Sequence, residues 1–90
     1  MFKDNECVET LMGLGLTFLQ AKTYLGLAKL GVADVKTISK VSNVARQDVY
    51  RLTPKLQKCG LAEKIISTQT LYRAIPLKKG LSTLLQQKVE

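Results

Sequence analysis

The stretch from Asp34 to Gly60 permits few shapes. Asp34 is a good helix cap, and Val35, Ile38 and Val41 follow it at helical spacing, so a helix is expected over Val35 to Ser42 with those three facing inward. Lys36 and Lys40 face outward, four residues apart on one side. Ser42-Asn43-Val44 reads as a tight turn. Asn43 suits a left-handed or turn backbone, and Val44 plugs the angle between the helices. A further helix is expected from Arg46 to Lys58. With about 100° per residue, Val49, Leu52 and Leu56 cluster on one side of it. Gln47, Arg51, Pro54 and Lys58 fall opposite, Tyr50 lies beside them, and Arg46 sits nearer the boundary.

Pro54 is poor helix chemistry. Inside a helix it removes the hydrogen bond to the Tyr50 carbonyl and costs about 3 kcal/mol. It lies on the outer side, where that carbonyl reaches water, and Leu56 continues the apolar stripe beyond it. The expectation is a kink at Thr53-Pro54, not an end. The first two turns, Arg46 to Arg51, are then the part best placed to enter a groove.

The flanking segments complete a recognisable order. Upstream, Asp4 or Asn5 can cap a short helix with Val8, Leu11 and Met12 as apolar positions, ended by Gly13 and Gly15. Thr17 caps a second helix, and Gln20 makes a capping box with it. Leu16 staples onto the first turn, Ala21, Tyr24, Leu25, Ala28 and Leu30 give the period, Lys22 and Lys29 lie on the wetter side, and Gly31 stops the helix. Downstream, Leu61–Ser67 and Leu71–Ile75 read as two short strands joined by Ser67-Thr68-Gln69-Thr70. Pro76 opens a last helix with Leu77, Leu81, Leu84 and Leu85 on its apolar stripe. The fold expected is mainly α with a small β-hairpin, a winged helix-turn-helix with N-terminal helices and a C-terminal helix. One domain is expected over 1–90, with the helix-turn-helix at 34–59, the wing at 61–75 and the C-terminal helix at 76–90.

Composition narrows the function. Ninety residues with 46% apolar content suit one small folded domain. Such a chain buries only about 60–65% of its unfolded surface, so pairing with a second copy through the last helix is expected. A formal charge of +7 favours nucleic acid or an anionic membrane surface. There is no histidine, and Cys7 and Cys59 form no CxxC pair, so no metal or cofactor is expected. No signal peptide or long apolar run is present, which points to a cytoplasmic chain with reduced, packing cysteines and no membrane contact. The seven acids are scattered, and MGLGL lacks the preceding strand of a dinucleotide fingerprint. No enzyme site emerges.

What remains is binding of double-stranded DNA. Arginine can grip guanine in two places, glutamine can grip adenine, and lysine can meet phosphate. Arg46, Gln47, Tyr50 and Arg51 are the candidates for bases or nearby phosphates, and Lys36, Lys40, Lys55, Lys58 and Lys64 for phosphate attraction. The wing tip carries no Gly, Lys or Arg, with Lys64 and Arg73 further down. It can offer a weak phosphate contact or serve as a structural cover. The alternative from another class is a winged helix that binds protein within a larger assembly.

Three segments carry a family resemblance: LGLTFLQAKTYLGLAKLG (14–31), ISKVSNVARQDVYRLTPKLQKCGLAEK (38–64) and LYRAIPLKKGL (71–81). The Leu-Gly-Leu-Thr opening with Ala21 and Tyr24-Leu25, the spacing of Arg46, Val49-Tyr50, Leu52, Leu56 and Gly60-Leu61, and Tyr72-Arg73-Ala74 before Pro76 together resemble the N-terminal DNA-binding domain of archaeal TrmB-type transcriptional regulators. The likeness covers most of the chain. It implies a winged-helix repressor or activator that binds operator DNA, usually as a dimer, with Arg46, Gln47, Tyr50 and Arg51 on the recognition helix. Many such regulators continue into an effector-binding domain, often for sugars. With the sequence ending at Glu90, no small-molecule effector is expected within it.

Overall fold

The computed structural model describes residues 4–76, with side chains from Glu6 onward. Four helices and three strands follow in the order α1 (Asp4–Gly13), α2 (Phe18–Leu30), β1 (Val32–Ala33), α3 (Val35–Ser42), α4 (Arg46–Lys58), β2 (Ala62–Ile66) and β3 (Thr70–Ala74). The helix expected over 76–90, its leucine stripe and its dimer contact lie outside the described residues.

Local chemistry sets most boundaries. Asp4 and Asn5 both fall inside α1, so neither caps it from outside. Gly13 closes the helix, and Gly15 continues the turn at φ 113. Thr17 and Gln20 form the expected reciprocal box: Gln20 N–H donates to Thr17 Oγ1 at 3.2 Å, and Thr17 N–H donates to Gln20 Oε1 at 2.9 Å. Gly31 ends α2 at φ 81. Asp34 caps α3 through its Oδ1, which accepts from Thr37 N–H at 2.9 Å. Hydrogen bonds from the Thr37 side chain and backbone together hold its carboxyl below the usual carboxylate range.

α2 is the central element. It packs on α1, α3, α4, β1 and β3, so more than one stripe of it is covered. Thr23, Gly26 and Leu27 are buried beside the expected Ala21 and Tyr24, while Leu25 and Leu30 are half-buried and Ala28 is exposed. A single-face reading misplaces Ala28 because it assumes neighbours on one side only. In α1, Val8 and Leu11 are buried but Met12 is 43% exposed.

The hairpin expected from the sequence sits in a three-stranded antiparallel sheet of order β1-β3-β2, to which β1 adds an edge. Val32 pairs with Arg73 and Ala33 with Tyr72, and β2 pairs with β3 from Ala62↔Ala74 to Ile66↔Thr70. The first expected strand loses a residue at each end, where Leu61 is fully buried with its N–H donating to Leu56 O, and the second starts and ends one residue earlier, at Thr70 and Ala74. Tyr24 Oη donates to Ile75 O at 2.8 Å, tying the end of the sheet to α2. Burial pushes the Tyr24 phenol up from its ordinary value. Leu27, Ile38, Val49, Leu56 and Leu61, each fully buried, join the helices and the wing in one apolar core.

Candidate nucleic-acid interface

The geometry of the site begins at the turn between α3 and α4. Asn43 takes the left-handed conformation at φ 58, the one non-glycine among the described residues with positive φ. Ser39 Oγ donates to Val44 O at 2.6 Å, Ser42 Oγ donates to Ile38 O at 2.6 Å, and Val44 is buried as expected. Val35 and Ile38 face the core, but Val41 is 42% exposed and Ser42 is buried in its place. At about 100° per residue Ser42 falls between Val35 and Ile38, while Val41 is turned about 60° past Ile38. Ser42 also lies against Gly26 of α2, where an added Cβ would stand 2.7 Å from Ser42 Cβ and 3.0 Å from its Cα and N. Two small residues thus let α2 support the turn at close range.

α4 runs unbroken through Pro54 to Lys58, so the proline does not end the helix. Val49, Leu52, Thr53 and Leu56 are buried beneath it. Gln47, Tyr50, Arg51, Pro54, Lys55 and Lys58 are exposed, and so is Arg46. Tyr50, at 61% exposure, is a large side chain held in solvent on this face. On α3, Lys36 and Lys40 are exposed as well.

A cleft of about 370 Å³ lies where the wing meets the helices, lined by Asp34, Val35, Lys36, Arg46, Tyr50, Lys64, Gln69, Thr70 and Tyr72. It gathers Lys36 from α3, Arg46 and Tyr50 from α4 and Lys64 from β2, four of the nine expected site residues. Against its one carboxylate, Asp34, stand the three cations Lys36, Arg46 and Lys64, which leaves an excess of positive charge. Lys64 opposes Tyr72 in the ladder and shares its side of the sheet. Arg73 opposes Glu63 on the other side and meets it at 3.6 Å. Gln47, Arg51, Lys40, Lys55 and Lys58 lie outside this cleft.

The sequence reading missed four participants. Gln69 and Thr70 of the wing line the cleft although the tip has no cation. Asp48 receives a hydrogen bond from Arg51 at 2.8 Å, a contact that the spacing of three residues could have suggested. Gly26 acts through packing and leaves no periodic signal. On the side of α1 and α2 lies a separate hollow of about 560 Å³, whose lining includes Met12, Phe18, Leu25 and Val41 and none of the expected site residues. Cys7 and Cys59 are half-buried free thiols, and no described helix is long and apolar enough to cross a membrane.

The model of a family described as sugar-specific transcriptional regulator TrmB matches residues 11–78. The chain belongs to the TrmB family. No curated protein matches it at a significant level. Among solved structures it is similar to TrmBL2, an archaeal chromatin protein described as showing a novel mode of DNA binding. The superposition has a TM-score of 0.87 at 24% identity and covers 97% of this chain and 35% of that one. The chain therefore spans about a third of the length of TrmBL2. At that identity the likeness establishes a shared fold, the winged helix-turn-helix. In this TrmB-family chain the two helices that make the turn are α3 and α4, and β2 and β3 form the wing.

Proposed function

We propose that this TrmB-family chain binds double-stranded DNA sequence-specifically and so regulates transcription, with α4 in the major groove. The observation that carries this reading is the outer face of α4, which presents Gln47, Tyr50 and Arg51 to solvent beside a cationic cleft closed by the wing. An amide and a guanidinium are the groups that read adenine and guanine edges. Lys36, Arg46 and Lys64, gathered in the cleft, supply phosphate contacts that fix the register of the helix, and Lys40, Lys55 and Lys58 add to the attraction. The description of TrmBL2 as an archaeal chromatin protein that binds DNA supports the DNA-binding part of this reading. On this proposal the protein acts without catalysis, in the cytoplasm with its target.

A two-fold dimer through residues 76–90 belongs to the proposal, because an operator with two half-sites mirrors a two-fold protein. Selection of bound genomic fragments, followed by gel shifts at two salt concentrations, tests the whole reading. Recovered fragments are expected to share half-sites at a fixed spacing. Affinity is expected to fall with salt at a logarithmic slope of roughly −0.9 per phosphate contacted. Arg51→Ala is expected to weaken the recovered site by about 1–3 kcal/mol. Absence of any duplex binding at low salt would overturn the proposal, and an unchanged affinity for that variant would remove Arg51 from it.

A further inference from the structure

A carboxylate is a costly neighbour for a phosphate backbone, since like charges repel whatever the base sequence. Asp48 is nevertheless placed in the first turn of α4, within a helix that also carries Arg46, Arg51, Lys55 and Lys58. Its Oδ1 accepts a hydrogen bond from Arg51 Nη2 at 2.8 Å. The pair is exposed, 63% for the Arg51 side chain and 36% for Asp48, and exposed pairs of this kind contribute little to folding. Its effect is on direction. A guanidinium is a rigid planar fork with five N–H donors, and a hydrogen bond to a carboxylate three residues earlier on the same helix limits the directions the fork can take. One donor is taken by Asp48, and the others suffice for the O6 and N7 of a guanine.

We infer that Asp48 is a positioning residue that holds Arg51 for base contact and sets the sequence preference of α4. The inference rests on the DNA-binding reading above. At a matching guanine, Arg51 bonds the base and neutralises Asp48 together. At any other base, Arg51 can reach a phosphate only by leaving Asp48 unpaired before a negative backbone. The carboxylate therefore lowers affinity for every duplex except the one in which Arg51 is satisfied in place.

The rival explanation is structural: an acid in the first turn complements the positive end of the helix. Its loss would then lower the melting temperature and weaken all DNA binding by one common factor. The two are separated by measuring dissociation constants of the full chain for a selected site and for an unrelated duplex. The proteins compared are wild type, Asp48→Asn, Asp48→Glu, Arg51→Ala and the Asp48→Asn/Arg51→Ala double variant. Asp48→Asn is expected to tighten binding to the unrelated duplex and to cut the ratio of selected to unrelated affinity by about tenfold, one good base contact. Asp48→Glu, which keeps the charge, is expected to recover part of that ratio. In the Arg51→Ala background the same Asp48→Asn change is expected to leave the ratio unaltered. An equal change in both affinities, or an equal loss of ratio with Arg51 already removed, overturns the inference alone. A wild-type protein that binds neither duplex at low salt overturns it together with the DNA reading.

Discussion

Individual atoms decide how firmly the turn between α3 and α4 is held. Gly26 and Ser42 meet where no further carbon fits, because the nearest atoms to an added Cβ are Ser42 Cβ, Cα and N, not the tip of a flexible side chain. Gly26→Ala must therefore move α2 or the turn. A loss of about 1–3 kcal/mol in denaturant unfolding is expected. DNA affinity should weaken with it, since α4 hangs from that turn. An unchanged unfolding midpoint would refute the close approach. Thr53 gives the opposite expectation. Its hydroxyl is fully buried and has no hydrogen-bond partner among the described residues, as is also true of Thr23. A buried, unpaired hydroxyl costs about 1–3 kcal/mol, so Thr53→Val, which keeps the shape and removes the polar atom, is expected to raise the melting temperature. A fall would mean that the hydroxyl has a partner in solution.

At the level of elements, the caps explain why short helices stand where the site needs them. α3 spans only eight residues, too few to be stable alone, and it depends on Asp34 at its start and Asn43 at its end. Thr37 holds the Asp34 carboxyl in its charged form, so the folded protein binds that proton more weakly than the unfolded chain does. The sign follows from linkage: this stability is present above the ordinary carboxylate range and is lost as pH falls through the lowered folded value. Asp34→Asn should remove that part of the acid sensitivity. The check is melting temperature against pH in the acid range, where the variant is expected to show a shallower decline than wild type. Parallel curves would exclude the cap as a source of acid sensitivity. Most of this element chemistry was legible in the sequence. The capping box at Thr17 and Gln20, Gly31, Asp34, Asn43 and the bounds of α3 and α4 all follow from local rules. β1 was not legible, because two residues cannot display a period and Val32-Ala33 becomes a strand only by pairing with β3.

Over the whole molecule, charge becomes a site only when distant segments meet. Lys36, Arg46 and Lys64 are separated in sequence but line one cleft between the wing and the helices. Removing a phosphate-contacting lysine weakens binding uniformly across sequences and lowers the salt slope by about one. Lys36→Ala and Lys64→Ala are each expected to do this, leaving the preferred site unchanged. If Lys64→Ala retains the full slope, the wing is a structural cover only. Arg73 should matter less than its charge suggests, because it meets Glu63 on the side of the sheet away from the cleft.

The sequence by itself determined α2, α3 and α4, the caps of α2 and α3, the turn and the polar outer face of α4, since each depends on contacts within a few residues. Tertiary structure decided which helix lies at the centre, why Ser42 and not Val41 is buried, and which cations share a cleft. Those outcomes depend on surfaces contributed by residues far apart in the chain. A helical period identifies a face, but what covers that face is settled only when the other elements arrive.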